Sequence, residues 1–452
     1  MILIYTHSFN GRLTETEILR AIAAKEMWNT QLKMLDDYYK ASNRGILDQD
    51  RNHKIPVPFG RKLIKNVLGF MFKEGCITYK YPDDDPRLAE KVTPIFDDND
   101  EETENIRLAR EQALYGSAFE CLFVDNPDAE PQFYRVPARQ VIPVYIPSIK
   151  PVMGACINYY TVNDSERHVD VYYRDRIERF VRNATSGLGI PAVVPHFFGE
   201  VPVLEYRNNE EGLGDIEIVL GLIDAHDEIL SNAVDEDGKF ADALFILKNA
   251  TLDDEQLAKI RTMRMLDDLP EDADASYLTK PNVYDGREKL RAKVEDLIYS
   301  MSGIPNLSDR DALAQQSGEA LKYLYATFEV MVAGDKQSGF TDGLQKRLRL
   351  ICNYLNWLEG KTGAPSVLLQ DALPYKADKI AVKWKRNLPA ESTTTINNVV
   401  NASPFISQRT ILEQLRQAGI VSDVVEEEKR LKEDQESGMK RNAELAMGGY
   451  GT

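Results

Sequence analysis

Residues 302–351, SGIPNLSDRDALAQQSGEALKYLYATFEVMVAGDKQSGFTDGLQKRLRLI, hold the change of texture that organises the rest of the chain. A helical pattern runs into Gly303 and Pro305, which are stop signals. The loop LSDRDALAQQSG follows, small and polar. Apolar residues then return at helical spacing from Gly318 onward, at Leu321, Leu324, Phe328 and Met331. Gly334, Gly339 and Gly343 interrupt the pattern, and Leu344, Leu348, Ile351, Leu355 and Leu358 resume it. Glycine inside a helical pattern weakens it locally and marks a kink. The stretch therefore reads as a polar loop returning through one long bent helix.

Upstream of this loop, residues 286–302 place Leu290, Val294, Leu297, Ile298 and Met301 on one helical face. An earlier helix, from Asp215 to about Val234, does the same with Ile216, Val219, Leu220, Ile223, Leu230 and Val234. Between the two lies a small α/β insertion: ADALFILKNA as a strand, TLDDEQLAKIRTMRML as a helix, DASYLTKPN as a strand. From Asp235 to Ala275 there are 12 acidic and 5 basic residues. Two long amphipathic helices bracketing an insertion make a stalk with a tip. Neighbouring copies around a ring could bury the stalk's second face, and so could an ordinary bundle within one chain.

The flanking regions complete an α+β chain. Residues 14–40 predict a helix with Ile18, Ile22, Met27, Leu32 and Leu35 inward, opened by a capping box of Thr14 and Glu17. A second helix carries Leu63, Ile64, Val67, Leu68 and Met71. The acidic tract DDNDEETE at 97–104 reads as a solvated loop or helix start. From about 115 to 207, short runs rich in Tyr, Val and Ile (SAFECLFVD, QFYRVPARQVIPVY, ACINYYTV, HVDVYYRDRIERFV) argue for antiparallel sheet. One strand-like run, KIAVKWKRN, stands in the mixed region 361–403. The stretch 407–436 is helical and dense in charge, and the tail ELAMGGYGT reads as loose.

Composition narrows the function classes. With 55 basic and 72 acidic residues the net charge is −17, the opposite of the basic footprint that tight DNA binding requires. Cys76, Cys121, Cys156 and Cys352 are widely spaced and read as buried free thiols. His7, His53, His168, His196 and His226 stand apart, without metal-ligand spacing. No phosphate loop, GxGxxG, HExxH or GxSxG is present, and no carboxylate pair stands out in sequence order. The expectation is a non-enzyme without cofactor or metal. No apolar run is long enough to span a bilayer and no secretory signal opens the chain, so a cytoplasmic, non-membrane protein is expected.

Five ordered stretches resemble portal proteins of tailed double-stranded DNA bacteriophages with long non-contractile tails. They are DDYYKASNRGIL (36–47), NHKIPVPFGRKLIKNVLGFMFKEG (52–75), AREQALYGSAFECLFVDN (109–126), GLGDIEIVLGLIDAHDEILSNAVDEDGKFADALFILKN (212–249) and the opening stretch 302–351. The Ser-Gly-Glu-Ala-Leu-Lys segment with its preceding Ile-Pro is the most specific. The resemblance implies the phage portal fold: a wing over 1–214 and 360–399, stem helices 215–237 and 286–303, a clip 238–285, a tunnel loop 304–317, a kinked helix 318–359 returning to the wing, and a crown and tail over 400–452. It implies a ring-forming subunit, a homo-oligomer of twelve copies, at one capsid vertex of the virion and assembled in the host bacterial cytoplasm. Double-stranded DNA would pass without sequence specificity. The terminase large subunit, head-completion adaptor, major capsid protein and scaffolding protein would be partners. Terminase would supply the ATP hydrolysis for which this chain has no phosphate loop.

On that reading the DNA-facing residues of the tunnel loop are Asp309, Arg310, Asp311, Gln315 and Gln316, with the aspartates tempering the pull of Arg310 on phosphates. Gly334 and Gly339 are hinge candidates. The clip's partner surface is Asp253, Asp254, Glu255, Asp267, Asp268, Glu271 and Asp272. The competing readings are another ring or coat scaffold, or a metal-dependent nuclease built from scattered carboxylates.

Overall fold

A computed structural model describes residues 4–5, 9, 11–50, 52–72, 75–83, 85–126, 129–163, 166–183, 187–240, 244–249, 274–278, 284–306, 318–361, 374–385, 406–417, 421, 424 and 426–432. The chain divides into two compact units, Met1–Arg386 and Asn387–Thr452.

After β1 (Ile4–Tyr5) comes α1 (Glu15–Lys40), opened by the expected capping box: the Glu17 amide donates to Thr14 Oγ1, and the Thr14 amide donates to the Glu17 carboxylate. Ile18, Ile22, Leu32 and Leu35 are buried as expected, but Met27 is 80% exposed. Three short elements follow: α2 (Arg44–Leu47), α3 (Phe59–Met71) and β2 (Ile77–Lys80). Then come α4 (Arg87–Asp98) and α5 (Glu101–Tyr115). The strand-rich region resolves into β3 (Ser117–Phe123), β4 (Gln132–Val136), β5 (Val141–Ile146), β6 (Val152–Asn163), β7 (Glu166–Tyr172), β8 (Arg176–Asn183), β9 (Ala192–Pro195) and β10 (Val203–Arg207).

Six strands form one sheet in the order β1-β5-β6-β7-β8-β9, antiparallel except for the parallel β1–β5 pair. A second sheet has the order β10-β3-β4. One face of the larger sheet (Val144, Ile157, Val169, Val171) packs on Ile18 and Ile22 of α1. Its other face (Val141, Cys156, Tyr172, Ile177) packs with Phe119, Cys121 and Val203 of the second. All four cysteines are free and buried.

The first of the two long helices starts later than its sequence pattern suggests. A 3-10 turn, Glu217–Val219, precedes α6 (Leu220–Phe240). The two insertion strands appear as β11 (Leu244–Lys248) and β12 (Asp274–Leu278), an antiparallel pair; the expected helix between them lies outside the described residues. α7 (Tyr284–Ser302) then packs along α6. It buries Val294 and Ile298 but leaves Leu290 and Met301 exposed.

The bent helix comprises α8 (Gly318–Met331), a π-helical turn Val332–Lys336, and α9 (Gln337–Lys361). Gly339 and Gly343 do not interrupt it. They lie inside α9, where a Cβ would meet the Arg207 carbonyl oxygen at 2.1 Å and the Tyr206 ring at 2.3 Å. They are close-approach glycines: α9 lies against β10 because these positions have no side chain. The strand-like run after α9 is β13 (Ala381–Trp384), antiparallel to β2. In the second unit, α10 (Gln408–Gln417) starts at Ser407, whose Oγ accepts from the Thr410 amide at 3.3 Å.

Candidate functional site

Of the residues singled out by sequence, Asp309, Arg310, Asp311, Gln315 and Gln316 lie outside the described residues, as do Asp253, Asp254, Glu255, Asp267, Asp268, Glu271 and Asp272. The hinge candidates are placed. Gly334 is in the π turn with nothing within 4 Å of where a Cβ would stand, whereas Gly339 is wedged against β10. The two glycines thus mark different things: an open irregularity and a tight seam.

The π turn is anchored at its C-terminal end by Lys336, which is 5% exposed. Its Nζ donates to Asn208 Oδ1 at 2.9 Å and to Asp215 Oδ1. Asn208 Nδ2 donates in turn to Asp215 Oδ1 at 2.8 Å. Gln112 Nε2 donates to the carbonyls of Arg207, at 2.6 Å, and of Lys336, at 3.3 Å. A wider turn leaves backbone groups displaced from the regular ladder. Here a side-chain amide reaches one of them, so α5, β10, the loop before α6 and the bent helix meet in one polar node.

Eleven residues beyond Lys336, Arg347 is fully buried. Its Nε and Nη2 donate to the two oxygens of Glu120 at 2.8 and 2.7 Å, Nη1 to Glu101 at 3.1 Å and Nη2 to Asn105 at 2.9 Å. The guanidinium stacks 4.4 Å from the Phe133 ring centroid. Burial is the largest single influence and opposes the charge, yet Glu120, Tyr206 and Glu101 together outweigh it and raise the Arg347 pKa well above its ordinary value. Burial also pushes up the Tyr206 phenol, which donates to Glu120 at 2.8 Å. The acidic tract at 97–104 is therefore not wholly solvated: Glu101 and Glu104 are buried because cations meet them.

Along its middle, α6 turns a polar face to α1 and the segment before α3. Asp224 accepts from the Tyr38 hydroxyl at 2.7 and 2.8 Å. Asp227 accepts from the Val57 amide at 3.0 Å and from Asn43 Nδ2 at 3.2 Å. Ser231 accepts from the Ile55 amide at 3.1 Å, and Asp235 from the His53 amide at 2.9 Å. This ladder clasps Asn43 and segment 53–57 to α6 with hydrogen bonds where the sequence suggested an apolar stripe.

Residues 20–441 match the profile of a family described as phage portal protein, SPP1 Gp6-like. The chain belongs to this family. The portal protein of Bacillus phage SPP1 is 22% identical over 315 residues, covering 65% of this chain and 61% of the relative. The portal protein of Clostridium phage phiCD119 is 22% identical over 383 residues, covering 75% and 83%. The chain thus spans about three fifths of the first relative's length. Among solved structures, the neck of an empty GTA particle computed with C6 symmetry aligns at a TM-score of 0.42 and 12% identity, covering 85% of this chain and 93% of that one. The neck of a native GTA particle computed with C12 symmetry gives 0.40 and 11%, with the same coverage.

In this portal chain the buried ionic residues are what sequence reading missed, and register was the available signal. Lys336 lies four residues after Val332 and four before Phe340; Arg347 lies three after Leu344 and four before Ile351. Both fall on the buried stripe of the bent helix. A cation in register with an apolar stripe calls for a buried carboxylate partner. Among the described residues, no cluster of three or more His, Cys, Asp or Glu side chains is placed to hold a metal ion, and no helix is long and apolar enough to cross a membrane.

Proposed function

We propose that this portal protein works as a ring of twelve copies forming the head–tail conduit at one capsid vertex, through which double-stranded DNA is packaged and ejected without sequence recognition. In this reading 238–285 is the clip that docks the terminase large subunit and later the head-completion adaptor. The surrounding shell supplies major capsid and scaffolding contacts, assembly takes place in the host bacterial cytoplasm, and terminase performs the ATP hydrolysis. The chain itself has a structural role and no catalytic one. Residues 304–317 form the tunnel loop, and 400–452 the crown.

The observation that supports ring assembly is the unfilled second face of the stem region. α7 buries Val294 and Ile298 but leaves Leu290 53% and Met301 57% exposed, and Val330 of α8 is 74% exposed. Apolar side chains left uncovered on helices already packed on one side suit a contact between copies, which cyclic symmetry closes. The π turn at 332–336 supports a pivot between tunnel loop and wing: α9 beyond it is fixed by Phe340, Leu344 and Arg347, each fully buried. The test replaces residues 307–317 with a Gly/Ser segment of equal length in an assembling phage. Capsids of normal size with strongly reduced DNA content are expected; normal DNA content would contradict the loop assignment.

A further inference from the structure

Lys336, Asn208 and Asp215 come from three separate stretches: the last position of the π turn, the residue after β10, and the loop before α6. All three are buried. Asn208 is 2% exposed, and the side chains of Lys336 and Asp215 are 6% and 5% exposed. A buried lysine and aspartate can satisfy each other as an ion pair, and nothing in that pairing calls for an amide. Here an amide stands between them, aligned as a reactant.

The Lys336 amine donates to Asn208 Oδ1 at 2.9 Å. With a carbonyl bond of ~1.2 Å at a hydrogen-bond angle, that places Nζ roughly 3–4 Å from Asn208 Cγ. Groups poised to react stand ~3–3.5 Å apart. On the other side of Cγ, Asn208 Nδ2 donates to Asp215 Oδ1 at 2.8 Å and to the Leu213 carbonyl at 2.9 Å. Asp215 Oδ1 also accepts from the Lys336 amine. One carboxylate oxygen therefore touches both the amine that must lose a proton and the amide nitrogen that must gain one, which is the position of a general base and acid. The second oxygen, Oδ2, is buried without a hydrogen-bond partner. Such orphans require an explanation in a native protein, and a seat for a proton in transit supplies one.

We infer that Lys336 and Asn208 join in an intramolecular isopeptide bond, formed by the folded chain itself with Asp215 relaying the proton. The Lys336 ammonium gives a proton to Asp215, and the freed lone pair attacks Asn208 Cγ, pushing the carbonyl electrons onto Oδ1. As the carbonyl re-forms, the Cγ–Nδ2 bond breaks and the departing nitrogen takes the proton from Asp215. The attacking nitrogen's second proton follows it, so ammonium leaves and Asp215 ends as the carboxylate it began. No other reactant enters the balance. α6, β11, β12, α7 and α8 all lie between positions 208 and 336, so the bond closes that whole excursion into a covalent loop rooted at β10. A cross-link over so long a loop stabilises chiefly by constraining the unfolded chain.

Mass spectrometry of the denatured full chain, followed by tryptic mapping, tests this. The expected mass is the sequence mass less one ammonia. Trypsin does not cut after an acylated lysine, so a branched peptide joining Asn208 to Lys336 is expected. Lys336→Arg keeps the charge without the amine and should show its full sequence mass. Asp215→Asn should yield at least ~tenfold less branched peptide after the same time. If either variant folds poorly, the spectrum of the unaltered chain still decides. An unaltered chain at full sequence mass overturns the inference. So does ammonia loss without the branched peptide or persisting in Lys336→Arg, or loss of water through a bond from Lys336 to Asp215.

Discussion

Arg347 shows how much packing a single residue can carry. Its guanidinium is fully buried and satisfies both oxygens of Glu120 as well as Glu101 and Asn105, so its removal strands carboxylates where water cannot reach them. Breaking a buried pair from one side costs about 3–5 kcal/mol. Arg347→Met is expected to lower stability by that order in urea unfolding, and adding Glu120→Gln should restore part of the loss. A loss under 1 kcal/mol, on the scale of exposed pairs, would show that the network contributes little. Lys25 makes the opposite case. Burial on α1 pushes its pKa down to about 8 from 10.5, against the pull of Cys156 and Glu205. Between these values the unfolded chain binds more protons, so the native state gains stability as pH rises. Lys25→Met should therefore stabilise the chain most below pH 8 and flatten that rise, by at most about 3 kcal/mol. Urea midpoints that keep the same pH dependence would refute this. The thiols form a third case: burial pushes Cys121 and Cys352 up to about 12. All four cysteines should resist a thiol reagent until denaturant is added, and rapid native labelling would contradict their burial. The spacing of the cysteines was legible in sequence. The partners of Arg347 were not, because Glu101 and Glu120 come from α5 and β3, more than 200 residues away, and only the fold brings them together.

At the scale of elements, the bent helix was read correctly as one interrupted helix, but the interruption is narrower than three glycines imply. Only Val332–Lys336 departs from the α ladder. Gly339 serves the packing of α9 on β10, and sequence spacing cannot tell a kink from a close approach. Substitution separates them. Gly339→Ala drives a Cβ onto the Arg207 carbonyl and should cost about 1–3 kcal/mol or more. Gly334→Ala meets nothing and should be neutral or stabilising by up to about 1 kcal/mol. Equal effects in thermal unfolding would show that the two sites do not differ in this way. The α6 face is the other partial reading. Ile216, Val219 and Ile223 are buried as their spacing implies, but further along the buried positions are His226, Asp227 and Ser231. Hydropathy has no means of seeing a polar ladder whose donors are the backbone amides of residues 53–57. The strands were easier, since runs of Tyr, Val and Ile between turn residues mark β3 to β8 whichever face they bury.

For the whole molecule, the decisive property is association. α9 packs into the core with the β10 sheet, yet Leu290 and Met301 of α7 and Val330 of α8 stay exposed. A net charge of −17 suits a protein that lies beside DNA without gripping it, because phosphates gain no counterion release from an acidic wall. The portal account joins these facts only if copies meet side by side around an open centre. Electron microscopy of the purified full chain, with class averages viewed down the particle axis, tests that most directly. The account predicts closed rings of about 600 kDa, from about twelve 51.2 kDa copies, with a central opening wide enough for a DNA duplex. Particles that stay monomeric at every concentration and in the presence of scaffolding protein, or assemblies with no central opening, would contradict it.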